Sequence, residues 1–195
     1  MAIEDGKKSA PSRGAQLRYL EAGLAVLGRQ GHAGLKLASV CDAVGATTGS
    51  FYHAFPNWAE YTSALIRYWR EEQSDRLIRQ AREITDPVQR LEALIDIGLH
   101  LPHESEAAIR VWAAHDPEVE AIQVQADEER RQFIEDAYYE AIGDREQSER
   151  YATIAMYLLV GYESGTRRSH DALAWAFRSF VTQALSGGGS TTRGR

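Results

Sequence analysis

Apolar positions along this chain recur at helical spacing, and breakers cut the pattern into discrete segments. Leu17, Leu20, Leu24 and Leu27 repeat at intervals of three and four, the period of one helix face, and Gly31 and Gly34 end that segment. A short segment from Leu37 to Val44 follows, then Gly45 as a turn, then a second short segment from Thr47 to Phe55. Asn57 reads as the N-cap of the next helix, with Glu60 three residues on to close a capping box. No breaker follows until Thr85-Asp86-Pro87, so one helix is expected to fill the interval. Asp86-Pro87 and Asp116-Pro117 each place an N-cap before a proline at the first helical position, predicting helices over 87–101 and 117–142, the latter stopped by Gly143. Pro102 separates off a short helix holding Ile109, Val111 and Trp112. Tyr151, Ile154, Ala155, Leu158, Leu159 and Tyr162 keep an unbroken apolar stripe, and Leu173, Phe177, Phe180, Val181 and Ala184 repeat it after Gly165. The sum is about nine helices and no strands, an all-α fold. Its expected divisions are a flexible N-terminus over 1–12, a first helical domain over 13–56, a second helical domain over 57–186, and a Gly/Ser-rich tail over 187–195 that is expected to be disordered.

Composition narrows the class. The chain has 195 residues, 44% apolar and 26% charged, as in ordinary globular proteins. Its longest apolar stretch, Ile154 to Tyr162, is far short of the roughly 20 residues a bilayer needs. Lys7 and Lys8 have no apolar stretch behind them, so no secretory signal is read and a cytoplasmic protein is expected. The single cysteine, Cys41, allows neither an internal disulfide nor a multi-cysteine zinc site, and reads as a small core residue. The net charge of -6 divides unevenly. Residues 1–70 hold eight Lys/Arg and five Asp/Glu, a balance of +3, and residues 71–195 hold 14 and 23, a balance of -9. Like charge repels phosphate, so nucleic acid would approach the front of the chain.

That front carries the grammar of a helix-turn-helix. Leu37, Val40 and Val44 fall on one face of a short helix, Gly45 supplies the positive φ of a tight turn, and Thr47 stands where it can cap a second helix. Thr47, Thr48, Gly49 and Ser50 then put four small residues on one turn, where backbone can approach another surface and hydroxyls can bond phosphate oxygens or base edges. Phe51 and Phe55 anchor the helix inward, leaving Tyr52 and His53 outward. The run Val44-Gly45-Ala46-Thr47-Thr48-Gly49-Ser50-Phe51-Tyr52-His53-Ala54-Phe55 resembles the corresponding stretch of the TetR family of transcriptional regulators, and the resemblance extends over residues 13–73. Three places depart from the family pattern. Asn57-Trp58-Ala59-Glu60 replaces a basic opening of the fourth helix, Ala38-Ser39 replaces a basic and an acidic residue, and Leu35-Lys36 replaces a threonine cap, although Lys36 can itself reach phosphate.

The resemblance implies a homodimeric, ligand-responsive regulator, most simply a repressor, bound to an inverted-repeat operator in double-stranded DNA. Thr48, Gly49 and Ser50 would face bases, and Lys36, Thr47, Tyr52 and His53 would hold phosphates. It would bundle Tyr61, Tyr68, Trp69, Trp112, Phe133, Tyr138 and Tyr139 around a pocket for a small apolar or aromatic effector. The stripes of the last two helices (Tyr151, Ile154, Leu158, Tyr162, Leu173, Phe177 and Phe180) are wider than one intramolecular contact needs and are expected to pair two subunits as a four-helix bundle. The competing reading is a helical ligand-binding or protein-interaction module that has lost DNA binding. His100 and His103 are separated by Pro102 and read as a helix end rather than a metal site; Asp116 reads as a cap rather than a partner of His115; Glu128-Glu129-Arg130-Arg131 reads as a solvated face. With no phosphate loop and no nucleophile elbow, neither an enzyme nor a cofactor nor a membrane partner is expected.

Overall fold

A computed structural model of the chain describes residues 13–187. The described residues form α1 (Arg13–Gly34), α2 (Leu37–Val44), α3 (Thr48–Ala54), α4 (Trp58–Arg70), α5 (Arg76–Arg82), α6 (Pro87–His100), α7 (His103–Ala113), α8 (Pro117–Ile142), α9 (Arg145–Ser164) and α10 (His170–Gly187), with no strand among them. A π turn, Glu71–Asp75, joins α4 to α5 without interruption, so the interval before Thr85 is one helical rod, as its lack of breakers predicts. The π turn itself has no signal in the sequence. The expectation for 1–12 and, apart from Gly187, that for the tail over 187–195 lie outside the described residues; Gly187 itself is helical, the last described residue of α10.

Local chemistry sets the boundaries. Side-chain oxygens of Asn57, Asp86, Asp116 and Asp144 accept hydrogen bonds from the free backbone N–H groups of the turns that follow them, at 2.9 Å from Glu60 and 2.8 Å from Gln89 in the first two cases. Each such cap contributes about 1 kcal/mol. Gly143 ends α8 at φ 72, and Gly31 kinks α1 at φ 67.

Two apolar cores result. The first joins α1–α4 to α7 and the N-terminal half of α8, around Val26, Leu27, Val40, Phe51, Tyr61, Leu65, Trp69 and Ile109. The second joins α6, the C-terminal half of α8, α9 and α10, around Leu91, Ile95, Tyr138, Leu159, Leu173 and Phe177. The division between these two cores runs through the long helical rod and α8. In α1 the buried face is Tyr19, Gly23, Val26 and Leu27, whereas Leu17 is 40% exposed. The leucine period finds the helix but points one flank away from its buried face, because Gly23 admits Tyr61 where a leucine would block it.

Candidate nucleic-acid interface and effector cavity

The turn between α2 and α3 is built as its residues predict. Gly45 adopts φ 71 and its N–H returns to the Asp42 carbonyl at 3.1 Å. Thr47 is extended, and its Oγ1 accepts the Ser50 N–H at 3.2 Å, capping α3. Phe51, Ala54 and Phe55 are buried. Phe51 meets Tyr19 edge-on at 5.4 Å and Tyr61 at 5.2 Å, so four aromatic rings from α1, α3, its C-terminal flank and α4 clamp the short helix. Gln16 donates to the Ala54 carbonyl at 2.9 Å and holds its far end. The opposite face is free of packing: Lys36, Thr47, Thr48, Gly49, Ser50, Tyr52 and His53 are all exposed. A β-carbon at Gly49 would come no nearer than 3.6 Å to Thr47, so the fold itself makes no demand for glycine there.

The interior of the second core holds an aliphatic cavity in two adjoining lobes of about 60 Å³ each. Leu94, Gly98, Ile134, Met156 and Leu159 line both lobes. One lobe continues to Tyr138 and Phe177; the other continues to Phe133 and ends against Ser74 and Arg130 beside the π turn. Of the seven aromatics expected around an effector, only Phe133 and Tyr138 line this space, and Tyr139 is exposed. Tyr61, Trp69 and Trp112 belong to the first core instead, each fixed by a hydrogen bond: Tyr61 Oη donates to the Tyr19 carbonyl, Trp69 Nε1 to Glu106 and Trp112 Nε1 to Asp116. Tyr68 is half-buried among Glu21, Glu72 and Arg76, and burial followed by the two carboxylates raises its phenol above the ordinary value. An aromatic set is a poor guide because large rings also fill ordinary cores. The better signal was the Leu91, Leu94, Ile95, Gly98 period of α6, whose glycine leaves space facing the Phe177 ring.

A buried polar layer separates the cavity from the first core. Glu106, 1% exposed, accepts Trp69 Nε1 at 2.6 Å and Arg130 Nη1 at 3.0 Å, and Arg130 Nη2 donates to the Gln73 carbonyl of the π turn at 2.8 Å. Arg110 binds Asp127 at 2.7 Å and Glu163 at 2.9 Å. Burial lowers the pKa of Arg110, but Asp127 and Glu163 outweigh it and leave the guanidinium above its ordinary value. His103 is buried with its Nδ1 3.6 Å from Glu163, beyond hydrogen-bond reach. Two sequence readings are corrected here. Arg130 does not lie on a solvated face, since α8 turns it inward onto Glu106. His103 is no solvated helix end, since Pro102 starts α7 against α9. Among the described residues, no group of three His, Cys, Asp or Glu side chains is placed to hold a metal, and no helix is long and apolar enough to cross a membrane.

The expected dimer residues separate into two sets. Leu173 and Phe177 are buried within their own subunit, and Phe177 lines the cavity, so neither is free to meet a second copy. Tyr151 stacks on Tyr138 at 5.2 Å, Tyr162 meets His103 at 4.7 Å, and Leu158 packs partly on the second core. Ile154 and Phe180 are half-buried. The unpartnered aromatics on these helices are Tyr157, 72% exposed on α9, and Trp175, 73% exposed on α10. The apolar period of the two helices runs through the residues that fill the subunit's own core and leaves both of these outside it.

No family model matches the chain, and no curated protein matches it in sequence. Solved structures do match. A transcriptional regulator from Rhodococcus sp. Rha1 superposes with a TM-score of 0.70 at 21% identity, covering 88% of this chain and 96% of the other. A transcriptional regulator of the TetR family from Agrobacterium tumefaciens gives 0.71 at 14% identity, covering 87% and 97%. The transcriptional regulator FadR from Bacillus subtilis, in complex with stearoyl-CoA, gives 0.61 at 12% identity, covering 88% and 98%. At these identities the likeness is one of fold: the chain has the all-α architecture of TetR-family regulators over nearly its whole described length.

Proposed function

We propose that this protein is a DNA-binding transcriptional regulator of the TetR family and not an enzyme, acting as a homodimeric repressor on an inverted repeat and released by a small apolar effector. One observation carries the reading. A seven-residue helix is clamped by buried aromatics on one side, while every one of its small polar residues and Tyr52 and His53 face solvent on the other. A structural helix of that length has no need of a bare Thr-Thr-Gly-Ser turn, whereas a helix seated in a major groove does. The effector enters the aliphatic cavity, and the π turn couples it to the reading head, because Arg130 touches the cavity, the π turn and, through Glu106, Trp69 of α4. A ligand that favours one position of Arg130 shifts the population of α4 positions by its differential affinity.

Selection of bound fragments from genomic DNA tests this directly. The expected result is an inverted repeat whose binding falls steeply with salt, since phosphate contacts release counterions. Tyr52→Ala should abolish or strongly weaken that binding with helical content unchanged, and Lys36→Ala should weaken all sequences equally and lower the salt slope by about one. Recovery of no enriched sequence, with salt-independent binding, would leave the interaction-module reading in its place.

A further inference from the structure

The end of the cavity beside the π turn is where its chemistry changes. Leu77, Ile97, Phe133 and Ile134 make an apolar wall, yet Ser74, 1% exposed, stands in it with its Oγ unpartnered. A buried hydroxyl without a partner costs roughly 1–3 kcal/mol, and it is commonly relieved by the group that binds there. Gln73 and Arg130 line the same end. Arg130 is already engaged by Glu106 and the Gln73 carbonyl, and Asp127 lies 3.8 Å from it. The surrounding carboxylates Glu106, Asp127 and Glu163 outnumber the guanidinium groups Arg110 and Arg130. A ligand carboxylate would add another negative charge to a desolvated cluster that already holds an excess of them, which is unfavourable at low dielectric.

Resting on the effector reading above, we infer that the cavity takes a neutral aliphatic molecule with one terminal oxygen, an alcohol or carbonyl, whose chain lies between α6, α8 and α9 and whose oxygen hydrogen-bonds Ser74 Oγ. The class excludes fatty-acid anions and positively charged amines: the first for the carboxylate excess, the second because Arg130 stands beside Ser74 at the end that would receive the polar group. Apolar walls confer affinity without orientation, and the unpartnered Ser74 hydroxyl supplies the orientation.

The test uses octane, octanol and octanoate as probes on the full chain and on Ser74→Ala, with affinities measured at neutral pH. Octane and octanol should both bind the unsubstituted protein, and octanoate at least about tenfold more weakly than octanol. Ser74→Ala should weaken octanol by about fivefold to tenfold, the worth of one neutral hydrogen bond, and leave octane unchanged. The free variant should melt no lower than the parent, because it loses an orphan hydroxyl and no contact. An octanol-to-octane ratio that is unchanged by Ser74→Ala overturns the inference, as does octanoate binding tighter than octanol. Failure of every probe to bind overturns the effector cavity itself, and operator binding measured on the same preparation then reports separately on the regulator reading.

Discussion

At Gly23 the space a side chain would need is already occupied: a β-carbon there would lie 2.1 Å from Tyr61 Oη, which donates to the Tyr19 carbonyl at 3.0 Å. Burial raises the Tyr61 phenol well above its ordinary value, so it stays protonated and donating. Gly23→Ala should therefore destabilise by about 1–3 kcal/mol through overpacking, and Tyr61→Phe by about 1 kcal/mol through the lost hydrogen bond. The double variant should be more stable than the sum of the two predicts, because the phenylalanine removes the clashing atom. Strict additivity in denaturant melts would show that the close approach is not what holds Gly23 in place. At the surface, the two Arg131 hydrogen bonds to Glu128, helped by Gln132, hold its carboxyl down at about 2. A depressed carboxylate contributes stability above its ordinary titration range and loses it as pH falls towards 2. The side chain is 48% exposed, so screening keeps the contribution within about 1 kcal/mol. Arg131→Gln should return Glu128 to the ordinary range in a carbon-detected titration while moving the melting midpoint only slightly.

At the scale of elements, the helix-turn-helix contains two glycines with different duties. Gly45 sits at φ 71, and Gly45→Ala should cost about 1 kcal/mol of stability by forcing a side chain into the left-handed region. Gly49 lies in a helix where a β-carbon would make only an ordinary contact with Thr47, so Gly49→Ala should hold or slightly raise stability while weakening operator binding, read as a gel-shift loss without a fall in melting temperature. A melting loss at Gly49 would return it to the fold. This element was legible in sequence because its signals are local: a turn glycine, a capping threonine and two anchoring phenylalanines lie within a dozen residues. The caps at Asn57, Asp86 and Asp116 were legible for the same reason. The cavity was not, because its walls come from helices far apart in the chain, and aliphatic residues that line a space have the same period as those that fill one. The π turn and the inward aim of Arg130 were also hidden. Period places residue 130 beside Glu129 and Arg131 on a charged run, and only the packing of α7 against α8 shows that Glu106 awaits it.

For the whole molecule, the proposed dimer needs a face open to a second copy, and the exposed Tyr157 of α9 and Trp175 of α10 offer one, distinct from the buried residues beneath them. Trp175→Glu should give a folded monomer, because the charge is placed on a surface that is wet in one subunit. Phe177→Glu should instead unfold or aggregate, because the charge enters the second core, where no partner waits. Sedimentation and circular dichroism together separate the two outcomes, and a dimeric Trp175→Glu would move the interface elsewhere. The distinction reaches DNA through symmetry. A twofold dimer presents one α3 per subunit, and two helices reading one face of the duplex must stand about 34–36 Å apart or a multiple of that. The proposed contacts to each half-site are few, Lys36, four small residues and two outward rings, so neither half alone should hold the protein well, and binding should depend on both being engaged at once. The folded monomer should accordingly lose specific binding while keeping an intact reading head. Inserting about five base pairs between half-sites turns them to opposite faces of the helix. The parent dimer should fail on that site and recover on one lengthened by about ten, where the faces realign. Equal binding to all three sites would mean that each subunit reads alone, and the separation of the two heads could then not be what an effector controls.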